Sequence, residues 1–121
     1  MIRRFLLVAA IATSALVVAG QIGAMSAPKL NGTVGPGFTI SLKDSTGKKV
    51  TRLKPGKYTF AINDKSAIHD FNLEKGSIHK KLTGVRFKGK KNVTVTLATG
   101  TWKFYCDPHE TSMMGTFKVA A

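Results

Sequence analysis

Beyond the first 26 or so residues, no stretch of this chain sustains a helical period. Apolar and polar residues alternate instead in short runs closed by glycine, proline or polar turns. Phe38–Leu42, Tyr58–Asn63, Val93–Leu97 and Gly115–Val119 alternate with period two, the mark of half-buried strands. Val50–Leu53, Ile68–Leu73 and Trp102–Cys106 add three more, and Lys54-Pro55-Gly56-Lys57 is a strong turn signal. The region 74–91 is harder to read: Glu74–Ser77 and Lys88–Asn92 look like loops, with a possible short strand around Val85 and Phe87. Seven or eight such strands predict an all-β antiparallel sandwich or barrel.

The start of the chain has a different character. Met1-Ile2-Arg3-Arg4 precedes an apolar run from Phe5 to Ala19, and small residues follow from Gly20 to Ala27. A basic start, an apolar run and small residues predict a secretory signal over 1–26, cut after Ser26. An uncleaved anchor is the rival expectation, since no charge occurs between Phe5 and Lys29, although Gln21 and two glycines weaken a helix there. Residues 27–37, rich in Gly, Pro and Asn, read as a flexible lead-in, and 38–121 as one domain. The expected location is exported, either periplasmic or at the cell surface.

Composition then bears on stability and partners. A domain of about 95 residues buries only about 60–65% of its unfolded surface and gains from a covalent or metal staple. A single cysteine rules out an internal disulfide, which leaves a bound metal. The chain carries 19 basic and 6 acidic side chains; without Arg3 and Arg4 the balance is 17 to 6, near +11. Such a charge predicts attraction to acidic partners, weakened by salt. Nucleic acid is not expected, because the chain has an export signal and no aromatic-basic RNA motif.

The chemistry gathers in Tyr105-Cys106-Asp107-Pro108-His109-Glu110-Thr111-Ser112-Met113-Met114-Gly115. It holds the only cysteine, one of three histidines and two of four methionines. A thiolate, an imidazole and a thioether so close together form a soft ligand set that suits copper, with two His and one Cys in a plane and a weak axial Met. Zinc fits less well, since structural zinc prefers four His or Cys ligands. The missing imidazole must come from elsewhere, and His69, between Ile68 and Phe71, is a better candidate than His79, which lies among lysines and is expected to be exposed. For the axial position, strand alternation places Met113 on the same face as apolar Phe117 and Val119, and Met114 on the face of Thr116 and Lys118.

Cys-x-x-His followed by Met-x-Gly, with an upstream His near an apolar strand, resembles the cupredoxins, the small blue copper proteins of the plastocyanin, amicyanin and pseudoazurin kind. The resemblance spans roughly 36–121. It implies a Greek-key β-sandwich with one type 1 copper at one end, held by His69, Cys106, His109 and Met113, and electron passage through an apolar patch beside His109. Where such proteins usually have Asn after the first His and Ser or Thr after the Cys, this chain has Asp70 and Asp107. If the two side chains meet, one must hold a proton or recruit a cation, for instance a lysine.

The expected function is one-electron transfer between redox partners, one of them with an acidic face, by a monomer. Copper delivery or storage with the same ligands is the alternative. Catalysis is not expected, because a copper oxidase needs more ligands or domains than this chain can hold.

Overall fold

The computed structural model describes residues 26–121, so the expected leader lies almost wholly outside the described residues. Among these residues no helix is long and apolar enough to cross a membrane. Nine strands follow in order: β1 (Lys29–Val34), β2 (Ile40–Lys43), β3 (Arg52–Leu53), β4 (Gly56–Asp64), β5 (Phe71–Lys75), β6 (Ile78–Thr83), β7 (Gly89–Leu97), β8 (Gly100–Tyr105) and β9 (Met114–Val119). They form two sheets with the orders β2-β1-β4-β7 and β3-β9-β8-β5-β6. Pairing is antiparallel except for β1 on β4 and β3 on β9, which run parallel.

Period-two alternation builds the core between the sheets. In β4, Tyr58, Phe60 and Ile62 point inward and are buried, while Lys57, Thr59, Ala61 and Asn63 face outward. From the other sheet, Trp102 and Phe104 of β8 and Phe117 and Val119 of β9 meet them. Full burial of each large apolar side chain contributes about 1.5–3 kcal/mol. The Trp102 indole N–H, buried with its ring, donates to the Ala98 carbonyl at 2.8 Å. Gly115 lies opposite Phe104 in the β8–β9 ladder, and a side chain there would collide with the Phe104 ring.

Three expectations change. Residues 27–37 are not simply a lead-in, because β1 occupies Lys29–Val34 with Leu30 and Val34 buried. Gly32 hid the alternation. It takes the middle inward position because Ile62 and Phe71 fill the space: a Cβ there would lie 2.6 Å from Ile62 Cδ1. Second, β6 forms in the region that was hard to read, by pairing with β5 across a turn at Gly76, whose φ is 56°, and β7 begins at Gly89, inside the stretch expected to be a loop. Four of the six residues of β6 are exposed, so no alternation announces it. Third, Val85 lies in a turn rather than a strand, and the segment carrying His69 becomes strand only at Phe71.

Candidate metal centre

Two connections meet at one end of the sandwich. The first runs from β4 to β5 and carries His69; the second runs from β8 to β9 and carries Cys106, His109 and Met113. Cys106 continues the β8–β9 ladder, its N–H donating to the Met113 carbonyl at 3.0 Å, so the loop between them is closed at its base. Asp107–His109 forms a single 3-10 turn with Pro108 in its first positions, where the missing N–H costs nothing. The His109 carbonyl then accepts the Met113 N–H at 2.8 Å. These bonds hold His109 back over Cys106.

The result is a triangle of ligand atoms. His69 Nδ1 lies 3.6 Å from Cys106 Sγ, His109 Nδ1 lies 3.7 Å from it, and the two imidazole nitrogens are 3.1 Å apart. Metal–nitrogen bonds of about 2.0 Å and metal–sulfur bonds of about 2.3 Å would set such atoms roughly 3.5 and 3.7 Å apart around one trigonal ion. The donor set therefore fits a single metal ion. Among the described residues it is the one group of three or more His, Cys, Asp or Glu side chains gathered this way. His69 and Cys106 are fully buried and His109 is partly exposed. His69 Nε2 is buried without a hydrogen-bond partner, so the polar contacts of that ring are all made by Nδ1 within the triangle. Burial pushes the Cys106 thiol above its usual range, with the N–H groups of Asp70 and His109 pulling the other way.

Met113 is fully buried and Met114 is 43% exposed, so the chain at this point follows the alternation of β9. His79 lies on exposed β6, with Glu74 and Tyr105 as its neighbours and away from the triangle.

The feared pairing of Asp70 with Asp107 does not occur. The buried Asp70 carboxylate accepts the backbone N–H of Asp107 at 2.7 Å, while the Asp107 residue is exposed. The other Asp70 oxygen meets Lys81 Nζ, a lysine supplied by the unexpected strand β6. Burial alone would raise the Asp70 pKa; the Lys81 ammonium, the Asn72 amide and the Asp107 N–H outweigh it and hold it below the usual carboxylate range.

Sequence reading also missed Phe38. Its ring meets those of His69 and His109 edge-on, with centroids 5.3 and 4.9 Å away, yet it is 61% exposed. It had looked like the first residue of a strand. In fact β2 begins at Ile40, and Phe38 belongs to the connection that crosses the end of the sandwich. No local signal distinguishes these roles.

The sequence pattern of copper binding proteins of the plastocyanin/azurin family matches residues 46–120, a span that contains all four expected site residues. This chain belongs to that family. The cofactor of this plastocyanin/azurin-family protein is type 1 copper. Its fold is similar to that of auracyanin A, a blue copper protein from the green thermophilic photosynthetic bacterium Chloroflexus aurantiacus. The identity is 18% and the TM-score 0.53, over 76% of this chain and 98% of that one. A rusticyanin variant is similar at 25% identity and TM-score 0.50, over 76% of each chain. A laccase from Pediococcus acidilactici shares the fold at 14% identity and TM-score 0.53, over 80% of this chain but 28% of that one. No curated protein sequence matches this family member.

Proposed function

We propose that this protein is an exported one-electron carrier, with His69, Cys106 and His109 as the equatorial ligands of its copper and Met113 as the weak axial one. The observation that carries this reading is the triangle of Nδ1, Nδ1 and Sγ, closed by two loops on a rigid sandwich. When bound, copper supplies a one-electron couple, and a site held between Cu(I) and Cu(II) preferences needs little rearrangement. The protein's share is to hold that geometry. Cys106 gives up its thiol proton to act as a thiolate. His69 is fixed in the core. His109, partly exposed, links the buried site to the surface, where the exposed Phe38 ring lies against it.

The leader over 1–26 is proposed to direct export and be cut after Ser26. The carrier works as a monomer, and its positive charge steers it to an acidic face on a redox partner. It is not proposed to be an enzyme: one ligand triangle on a small domain serves transfer rather than turnover.

The test is copper loading of the purified protein followed by a redox titration. An intense blue absorption that bleaches and returns reversibly, with copper retained in both states, supports the carrier. Ready loss of the ion to an acceptor protein, without stable redox cycling, would instead favour copper delivery.

A further inference from the structure

The outward positions of the four-stranded sheet hold lysines, amides and hydroxyls and no acidic side chain. Alternation sends Lys29, Lys43, Lys57 and Lys90 outward from its four strands. None of these lysines takes part in an ion pair among the described residues. The acidic groups are elsewhere. Asp64 and Asp70 are buried, and Glu74 and Glu110 pair with Lys103 on the other sheet. Asp107 sits in the ligand loop, and Asp44 binds its own turn through Thr46 and Lys48. The face therefore carries positive charge without local compensation.

Between the lysines lie amides. Register places Asn31, Ala61 and Asn92 in one row across β1, β4 and β7, with Thr33, Asn63 and Lys90 in the next outward-facing row. The small Ala61 between two asparagines leaves a depression of about 430 Å³, lined among others by Lys29, Asn31, Asn63, Lys90 and Asn92. Lys29 sits in the row of Thr59 and Lys90 in that of Asn63, so along the strands they are separated by four residues, about 13 Å. Each amide offers both donors and an acceptor, the pattern that answers a hydroxyl group.

We propose that this face binds an anionic polysaccharide, a polymer of hydroxyl-rich sugars bearing carboxylate or sulfate groups. The lysines at either end of the depression take the charges, and the amides between them take the hydroxyls. Other anionic partners fit less well. The face presents no aromatic ring on which bases could stack, no aromatic or arginine anchor of the kind that dominates protein interfaces, and no large apolar side chain to enter a lipid layer. It points away from the core, whereas Phe38 and His109 open at the loop end, so a chain bound here leaves the metal end free.

The test uses the copper-loaded protein purified after expression of the full-length chain, titrated with alginate as a polyuronate and dextran as a neutral polymer. Amide NMR shifts locate the contact, and calorimetry gives affinity. Alginate is expected to shift residues 29–33, 59–63 and 90–94, and dextran to leave them unmoved. The Lys29→Gln/Lys90→Gln double variant is expected to bind alginate about tenfold more weakly. Ala61→Trp, which fills the depression at constant charge, should weaken binding comparably. Lys80→Gln/Lys118→Gln removes the same charge from the other sheet and should cost about twofold or less at physiological salt. Equal losses in the two double variants would overturn the proposal in favour of diffuse charge attraction. So would unchanged binding by a folded Ala61→Trp. Tighter binding to phosphatidylglycerol vesicles with the same variant dependence would make the face a membrane contact and overturn it as well.

Discussion

Asp70 and Asp107 are joined through carboxylate and backbone, not through two carboxylates: Asp70 Oδ1 accepts the Asp107 N–H at 2.7 Å across the two loops that carry the metal ligands. Each loop is thereby registered to the other by a residue adjacent to a ligand. Lys81 neutralises the buried charge that this requires.

Removing that tie should loosen the site and the fold together. Asp70→Ala leaves the Asp107 N–H without its acceptor and is expected to cost about 1.5–3 kcal/mol, the range for a hydrogen bond to a charged group. Asp70→Asn keeps an acceptor and should cost less. Urea denaturation of the copper-free variants gives both values. Equal stability of Asp70→Ala and wild type would mean that the loops are held by other contacts.

Two buried aspartates should act on opposite sides of the ordinary carboxylate range. Asp70 has a lowered pKa, so its stabilisation is present above the unfolded value and is lost as pH falls through the lower folded one. Asp64 has a raised pKa because burial dominates, with one oxygen accepting the Ser66 N–H and the other unpartnered. Its folded form holds a proton more tightly, so its contribution is greatest in acid and declines as pH rises through the raised value. Asp64→Asn should abolish the decline above about pH 4 and leave the acid limb intact. Stability against pH, measured on wild type and both Asn variants, checks the assignment. A slope above pH 4 that survives Asp64→Asn would refute it.

Phe38 covers both imidazoles while remaining exposed, so its value lies in shielding rather than in the core. Phe38→Ala should admit water to the ligand end, favour the more highly charged Cu(II), and lower the redox potential. The stability of the copper-free protein should change by about 0.5 kcal/mol or less, as for most surface sites. A redox titration that returns the wild-type potential would count against a shielding role.

The two adjacent methionines should separate cleanly. On the proposed axial role, Met113→Leu puts a hydrocarbon where a donor faced the copper; losing a donor disfavours the more highly charged ion, so the potential should rise and the Cu(II) spectrum change. Met114, on the outward face, should tolerate leucine with little change in either. The opposite pattern would show that the exposed methionine turns in to the metal.

Copper should also stabilise the fold in a pH-dependent way. Binding must displace the Cys106 thiol proton, which burial makes harder to remove. Copper affinity is therefore expected to rise with pH, and the thermal midpoint should fall on chelation. Cys106→Ser should lose the blue absorption and most of the copper-induced rise in midpoint. Calorimetry of copper binding in buffers of different ionisation enthalpy counts the released protons; a count of zero would mean that the thiol is not the site of exchange.

Local sequence determined much of this protein. Period-two alternation gave β4, β7 and β9 their faces, and Cys106-Asp107-Pro108-His109 sits in a short loop because proline and the strand end leave few alternatives. Even the inward turn of Met113 follows from the two-residue repeat carried back from Val119. What only the tertiary structure decided involves partners far apart in sequence. β1 is a strand because β4 lies beside it in parallel and Phe71 and Ile62 fill the space over Gly32. β6 is a strand because β5 offers it an edge. Lys81 neutralises Asp70 because that edge strand places it there, and Phe38 covers His69 and His109 because its loop crosses the end of the sandwich. A periodic pattern records which face of a segment is buried, but not which segment buries it; pairings and contacts between distant residues are set only when the chain closes on itself.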